Sequence, residues 1–177
     1  ENFDSYSGVG PLYAVGTGDV KPYCWNYIFN GTDESRRPHL MGNSSSYHNS
    51  SNCLSICTGS SSSSSSLGYG SPNYMIMPEV TNNLNELQLS FDVDVESATS
   101  TKLEVGYMTN PSVESSFVSV QEITCSSTPT TVPDIIFSDN VPGPVYVAFK
   151  VTQIATSSYY GVTIDNVILS LRPACSA

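Results

Sequence analysis

Three acidic residues at alternate positions, Asp92, Asp94 and Glu96 in the stretch FDVDVE, are the plainest candidates for chemistry in this sequence. On an extended strand they leave from one face, with successive carboxylates ~7 Å apart at a rise of ~3.3 Å per residue. Paired carboxylic acids hydrolyse glycosidic bonds over that range of separations. A second candidate is Asp165, set in the β-branched and apolar stretch GVTIDNVILS. A carboxylate among buried neighbours costs several kcal/mol unless something pairs with it. Asp4, in ENFDS near the other end of the sequence, is a possible companion. If the first and last strands are neighbours, Asp4 and Asp165 converge on one cation. Calcium takes roughly six to eight oxygen ligands at roughly 2.3–2.6 Å, so two carboxylates and carbonyls from the Tyr47–Asn52 loop would suffice. Without a metal, Asp165 must accept hydrogen bonds from backbone N–H groups and loop hydroxyls instead.

The remaining reactive side chains make weaker constellations. The five cysteines (Cys24, Cys53, Cys57, Cys125 and Cys175) form no even framework. Cys53 and Cys57 with His39 or His48 invite a zinc reading. As a strand, however, SNCLSIC sets the two sulfurs about 13 Å apart, too far for one tetrahedral zinc with ligands at ~2.3 Å. His39 and His48 are expected in loops, with no Gly-x-Ser-x-Gly turn to supply a nucleophile. The only tryptophan, Trp25, reads as a core or sheet-edge anchor.

Charge narrows the partners. Sixteen acidic against six basic residues give a net charge of −10, which disfavours nucleic acid, whose affinity rests on Lys and Arg neutralising phosphates. The same sign disfavours an anionic membrane surface, and no apolar run approaches the ~20 residues of a membrane span. A divalent cation or a neutral glycan suits the composition. The opening ENFDSY reads as folded domain rather than signal peptide, and SLRPACSA reads as a linker. The expectation is a piece of a larger chain with adjacent domains.

The elements that must position these residues are strands. In LQLSFDVDV, Leu87, Leu89, Phe91, Val93 and Val95 alternate with polar residues; Leu103, Val105 and Tyr107, and Val145, Val147, Phe149 and Val151, repeat the pattern. Further strands are expected at SFVSVQEI, PDIIFS, NYMIMPEV, SNCLSIC and, briefly, ENFDS. Eight or more strands with turn-rich spacers predict an all-β, antiparallel two-sheet sandwich. Residues 5–50 lack such alternation and are expected to form long loops. The serine run at 59–66 reads as a loop within a single domain spanning 1–177. A solvated sandwich face accounts for the FDVDVE acids without catalysis.

In order, ENFDS, KPYCWNY, SSNCLSI, NYMIMPEV, LQLSFDV, LEVGYMTNPSVESSFVSV, PVYVAFKV and VTIDNVIL resemble the choice-of-anchor J domains and the related cleaved-adhesin (gingipain K-type) domains of Bacteroidetes surface proteins. MAM domains share the outline: an opening Phe-acid pair, an early Trp and a closing Ile-Asp stretch. The likeness covers nearly the whole chain and is most specific at VGYMTNPSVESSFVSV; the serine run is an insertion, and Asp4 stands where Glu is commoner. It implies a secreted or surface-displayed bacterial jelly roll that is non-catalytic. The expected ligand is a glycan or a host or matrix protein, with a ligand-free structural spacer as the alternative, and a structural calcium ion is expected at Asp4 and Asp165. Tyr69, Tyr159 and Tyr160 are the candidate ligand contacts, as flat faces on loops. FDVDVE also resembles the Glu-x-Asp-x-x-Glu strand of laminarinase-like hydrolases. It departs from that strand in its first residue and in its spacing, and one Trp is few for a sugar cleft.

Overall fold

The computed structural model describes residues 1–7, 21–31, 37–42, 52–57, 71–95, 101–124, 126, 128–154 and 161–173. Ten strands run through them: β1 (Asn26–Ile28), β2 (His39–Gly42), β3 (Asn52–Cys57), β4 (Asn73–Val80), β5 (Leu87–Val95), β6 (Thr101–Met108), β7 (Phe117–Ile123), β8 (Thr130–Ile136), β9 (Val145–Gln153) and β10 (Gly161–Leu171). They form two five-stranded sheets, ordered β1-β4-β9-β6-β7 and β2-β3-β10-β5-β8, and every pairing is antiparallel. This is the expected sandwich. The inward rows expected of β5, β6 and β9 all lie in one core cluster shared by the two sheets, because period-2 alternation leaves each strand one apolar face to bury.

An aromatic chain joins the two layers. Trp25 stacks on Phe149 of β9 with ring centroids 6.4 Å apart. Phe149 meets Phe91 of β5 edge-on at 5.0 Å, and Phe3 meets Trp25 edge-on at 5.9 Å. Trp25 is therefore a core anchor.

Two expectations about the first part of the chain are corrected. ENFDS is not a strand: residues 1–7 carry no ladder, and Phe3 sits at a φ of 58°. That left-handed backbone costs an ordinary residue about 1–3 kcal/mol, which is offset by complete burial of the Phe3 ring, worth about 1.5–3 kcal/mol. Residues 5–50 are also not loops throughout, since they contain β1 and β2. His39 lies in β2 with no solvent exposure rather than in a loop. At four residues, three of them buried in a row, β2 is too short for a period to register; pairing with β3 makes it a strand. The serine run at 59–66 and His48 lie outside the described residues.

Candidate functional site

β10 is a central strand, with β3 on one side and β5 on the other. Its core residues are Val162, Ile164 and Val167, so the inward parity slips by one between Ile164 and Val167. The slip is a β-bulge in the pairing with β5, between Asp165 and Ile168, and Asn166 within it has a φ of 49°. Asn is among the few residues that tolerate this conformation. Thr163 and Asp165 consequently point to the outer face of the sheet, yet both are buried.

Across the ladder from Asp165 stands Asp92 of β5. Like charges directly opposite on one face destabilise a sheet, and Asn166 resolves the conflict. Its backbone N–H donates to Asp165 Oδ1 at 2.7 Å, and its side-chain amide donates to Asp92 Oδ2 at 2.8 Å. Thr131 of β8 donates its hydroxyl to Asp92 Oδ1 at 2.6 Å. Both oxygens of Asp92 thus tie three strands together. Asp94 is buried beside Thr163, whose hydroxyl donates to the Asp94 carbonyl at 3.4 Å. A solvated face was expected for these acids, and for Asp94 that is corrected: one line of register, His39–Ser55–Thr163–Asp94, is buried across four strands. Glu96 lies outside the described residues.

The N-terminal segment does dock on the closing strand. Glu1 and Val167 exchange hydrogen bonds in both directions, Glu1 N to Val167 O at 2.6 Å and Val167 N to Glu1 O at 2.9 Å. Asp4 is exposed and accepts from the Asn52 N–H and the Asn2 amide, both at 3.3 Å. The buried Asn52 amide donates to the carbonyls of Phe3 and Tyr6 at 3.1 and 2.9 Å. Asp4 and Asp165 bring only oxygen donors, which calcium requires. The amide hydrogens of Asn52 and Asn166 already meet neighbouring oxygens in both places. Among the described residues no group of three or more His, Cys, Asp or Glu side chains is arranged to hold a metal; the zinc reading of Cys53 and Cys57 with His39 or His48 falls partly outside them, at His48 and the Cys57 side chain. The candidate contacts Tyr69, Tyr159 and Tyr160 lie outside the described residues.

The other sheet carries a face that sequence reasoning missed. On its outer side, Tyr74, Ile76, Met108 and Ala148 form a second small cluster, with Ile28, Phe117 and Tyr146 packed against it. Phe117 lies over Gly106: a Cβ there would fall 2.7 Å from the ring and 2.1 Å from the Val118 carbonyl oxygen. The ring reaches Tyr74 edge-on at 5.5 Å, and the Lys150 ammonium sits 5.3 Å from its centroid. Lys150 also pairs with Glu104 at 3.0 Å, while Lys102 bridges Glu104 and Glu122 at 3.5 and 3.2 Å. Burial alone would raise the Glu104 pKa; the hydrogen bonds from Lys150 and Ser119 and the two lysine charges outweigh it and hold the carboxyl below its usual range. A glycine within the strand KLEVGYM was the available signal, since glycine there marks close approach of another group.

Burial, reinforced by the charges of Glu114 and Glu104, pushes the Tyr74 phenol up to about 12. In a titration followed by phenolate absorbance, a late step near pH 12 is expected, and Tyr74→Phe should remove it. The folded value is raised, so the stabilising difference is intact below the ordinary tyrosine pKa of ~10. It is lost as pH rises from there towards about 12, because the unfolded chain ionises first.

The architecture defines a class: an open, two-sheet antiparallel β-sandwich of the jelly-roll kind. No protein-family model and no curated protein matches the sequence. Among solved structures, the chain is similar to the K2 cleaved adhesin domain of Lys-gingipain, with 17% identity, 97% of this chain and 98% of that domain covered, and a TM-score of 0.64. The K1 cleaved adhesin domain of Lys-gingipain from Porphyromonas gingivalis W83 gives 15% identity, coverage of 98% and 97%, and a TM-score of 0.58. TmCBM61, solved in complex with β-1,4-galactotriose, gives 14% identity, coverage of 86% and 91%, and a TM-score of 0.54. The cleaved-adhesin resemblance is thus borne out in the fold.

Proposed function

We propose that this chain is a non-catalytic glycan-binding module of a secreted or surface-displayed bacterial protein. The observation that carries the reading is the engagement of Asp92: both carboxylate oxygens are held by Thr131 and Asn166 across the sheet. An acid engaged in this way supports a role in the fold rather than at a glycosidic bond for the first member of the Asp92/Asp94/Glu96 set. The shared fold of adhesin domains and of a module solved with a galactotriose supports binding as the role, as an argument from fold. Among the described residues no helix is long and apolar enough to cross a membrane.

The test pairs a glycan array with a reducing-sugar assay on the glycans that bind. Retention without release of reducing ends is the expected result. Turnover that Asp92→Asn abolishes would make the chain a hydrolase, and selective retention of matrix proteins with no glycan bound would replace the ligand class.

A calcium ion at Asp4 and Asp165 belongs to the same proposal, supported by their oxygen-only donors. A ligand held only by the folded state adds RT ln(1 + [L]/Kd) to stability. Chelation with EDTA is therefore expected to lower the melting temperature and added calcium to restore it. An unchanged melting temperature, with no metal in the purified protein, would overturn the calcium assignment and leave these acids to hydrogen bonds such as those from Asn2, Asn52 and Asn166.

A further inference from the structure

The face around Phe117 has the make-up of a saccharide platform. Tyr146, Met108 and Phe117 are successive partners across β9, β6 and β7, so the two aromatic residues stand about two strand spacings, ~10 Å, apart. Both are half-buried, while Met108 between them and Ala148 beside it are fully covered. Half-buried rings beside a closed floor offer apolar surface at low entropic cost.

The polar rim supports a ligand rich in hydroxyls. Tyr146 donates its hydroxyl to exposed Glu79 at 2.9 Å, while Lys150 and Lys102 are paired with Glu104. Donors and acceptors therefore alternate around the rings with their charges largely compensated locally. A polyanion would be repelled by a chain of net charge −10, whereas a neutral sugar offers C–H faces to the rings and hydroxyls to both signs of charge.

We infer that the outer face of the β1-β4-β9-β6-β7 sheet binds a neutral oligosaccharide, stacked on Phe117 and Tyr146 and hydrogen-bonded by Glu79 and Lys150. This rests on the glycan-binding reading above and assigns its site. It places the ligand on a sheet face rather than on the loop tyrosines.

The probes are immobilised hexaoses of β-1,4-linked glucose, xylose, mannose and galactose, with folding of each variant checked by thermal unfolding. Wild-type protein should bind at least one hexaose, and Phe117→Ala and Tyr146→Ala should each weaken that binding about tenfold or more, as loss of an aromatic anchor does. Glu79→Ala, at an exposed position where the fold is not at stake, should weaken it several-fold. Ile168→Ser, on the outer face of the other sheet and 57% exposed, should bind as wild type. Should Phe117→Ala fail to fold, Tyr146→Ala and Glu79→Ala decide. Wild-type binding in folded Tyr146→Ala and Glu79→Ala, or loss confined to Ile168→Ser, would overturn the assigned face and leave glycan binding standing. Failure of wild-type protein to bind any hexaose would overturn the assignment together with the neutral-glycan reading.

Discussion

Phe149→Ala is expected to destabilise the domain by about 3–5 kcal/mol, the range for deleting a buried aromatic ring. Phe149 has no solvent exposure and is one link between the two sheets in the core that they share. It stacks on Trp25 and meets Phe91 edge-on, and each such pair adds about 0.5–1.5 kcal/mol beyond the buried area. Trp25 in turn carries Phe3, so the truncation also loosens what compensates the left-handed backbone at Phe3. In a chain of this size each kcal/mol lowers the melting temperature by roughly 2–4 °C, giving a fall on the order of 10 °C. Phe149→Leu, which keeps most of the volume, should lose much less, typically under ~1.5 kcal/mol. Equal losses for the two variants, or a loss below about 1 kcal/mol for alanine, would show that the aromatic chain does not hold the layers together.

The second large effect belongs to Asn166. Asn166→Ala keeps the N–H that serves Asp165 but loses the amide that serves Asp92, and it places alanine at a φ of 49°. A hydrogen bond to a charged group contributes about 1.5–3 kcal/mol, and left-handed backbone costs a non-glycine residue roughly 1–2 kcal/mol. The expected loss is about 3 kcal/mol by urea unfolding. Asn166→Gly isolates the hydrogen bond, because glycine accepts the backbone without strain; it should recover about 1 kcal/mol relative to alanine. Asn166→Asp keeps the shape but sets a third carboxylate beside Asp92 and Asp165, and should be the worst of the three near neutral pH. If Asn166→Asp is as stable as wild type there, a bound cation rather than the asparagine is neutralising this corner, and the calcium proposal gains at the expense of the amide account.

Much of the frame was legible before any coordinates. Alternation in LQLSFDVDV, KLEVGYM and VYVAFKV named the inward rows correctly, because burial on one face of a strand is imposed residue by residue and leaves a local trace. β1 and β2 left almost none: three and four residues are too few for a period to show. ENFDS misled for a different reason. Its Phe3 is buried as a strand residue would be, but by a turn at positive φ that its tertiary contacts with Trp25 and Asn52 compensate.

The candidate site divides along the same line. Read alone, the residues show an acid in a buried strand, further acids on the outward positions of another, a glycine inside a third and a phenylalanine at the head of the next. That β10 pairs with β5, so that Asp165 faces Asp92, and that a one-residue bulge turns Asn166 to serve both, came from the packing of distant strands. It likewise laid Phe117 across Gly106 towards Tyr74, two strands further on. Alternation is set by each residue's own neighbours along the chain, whereas register and bulges are set by which distant strand arrives alongside.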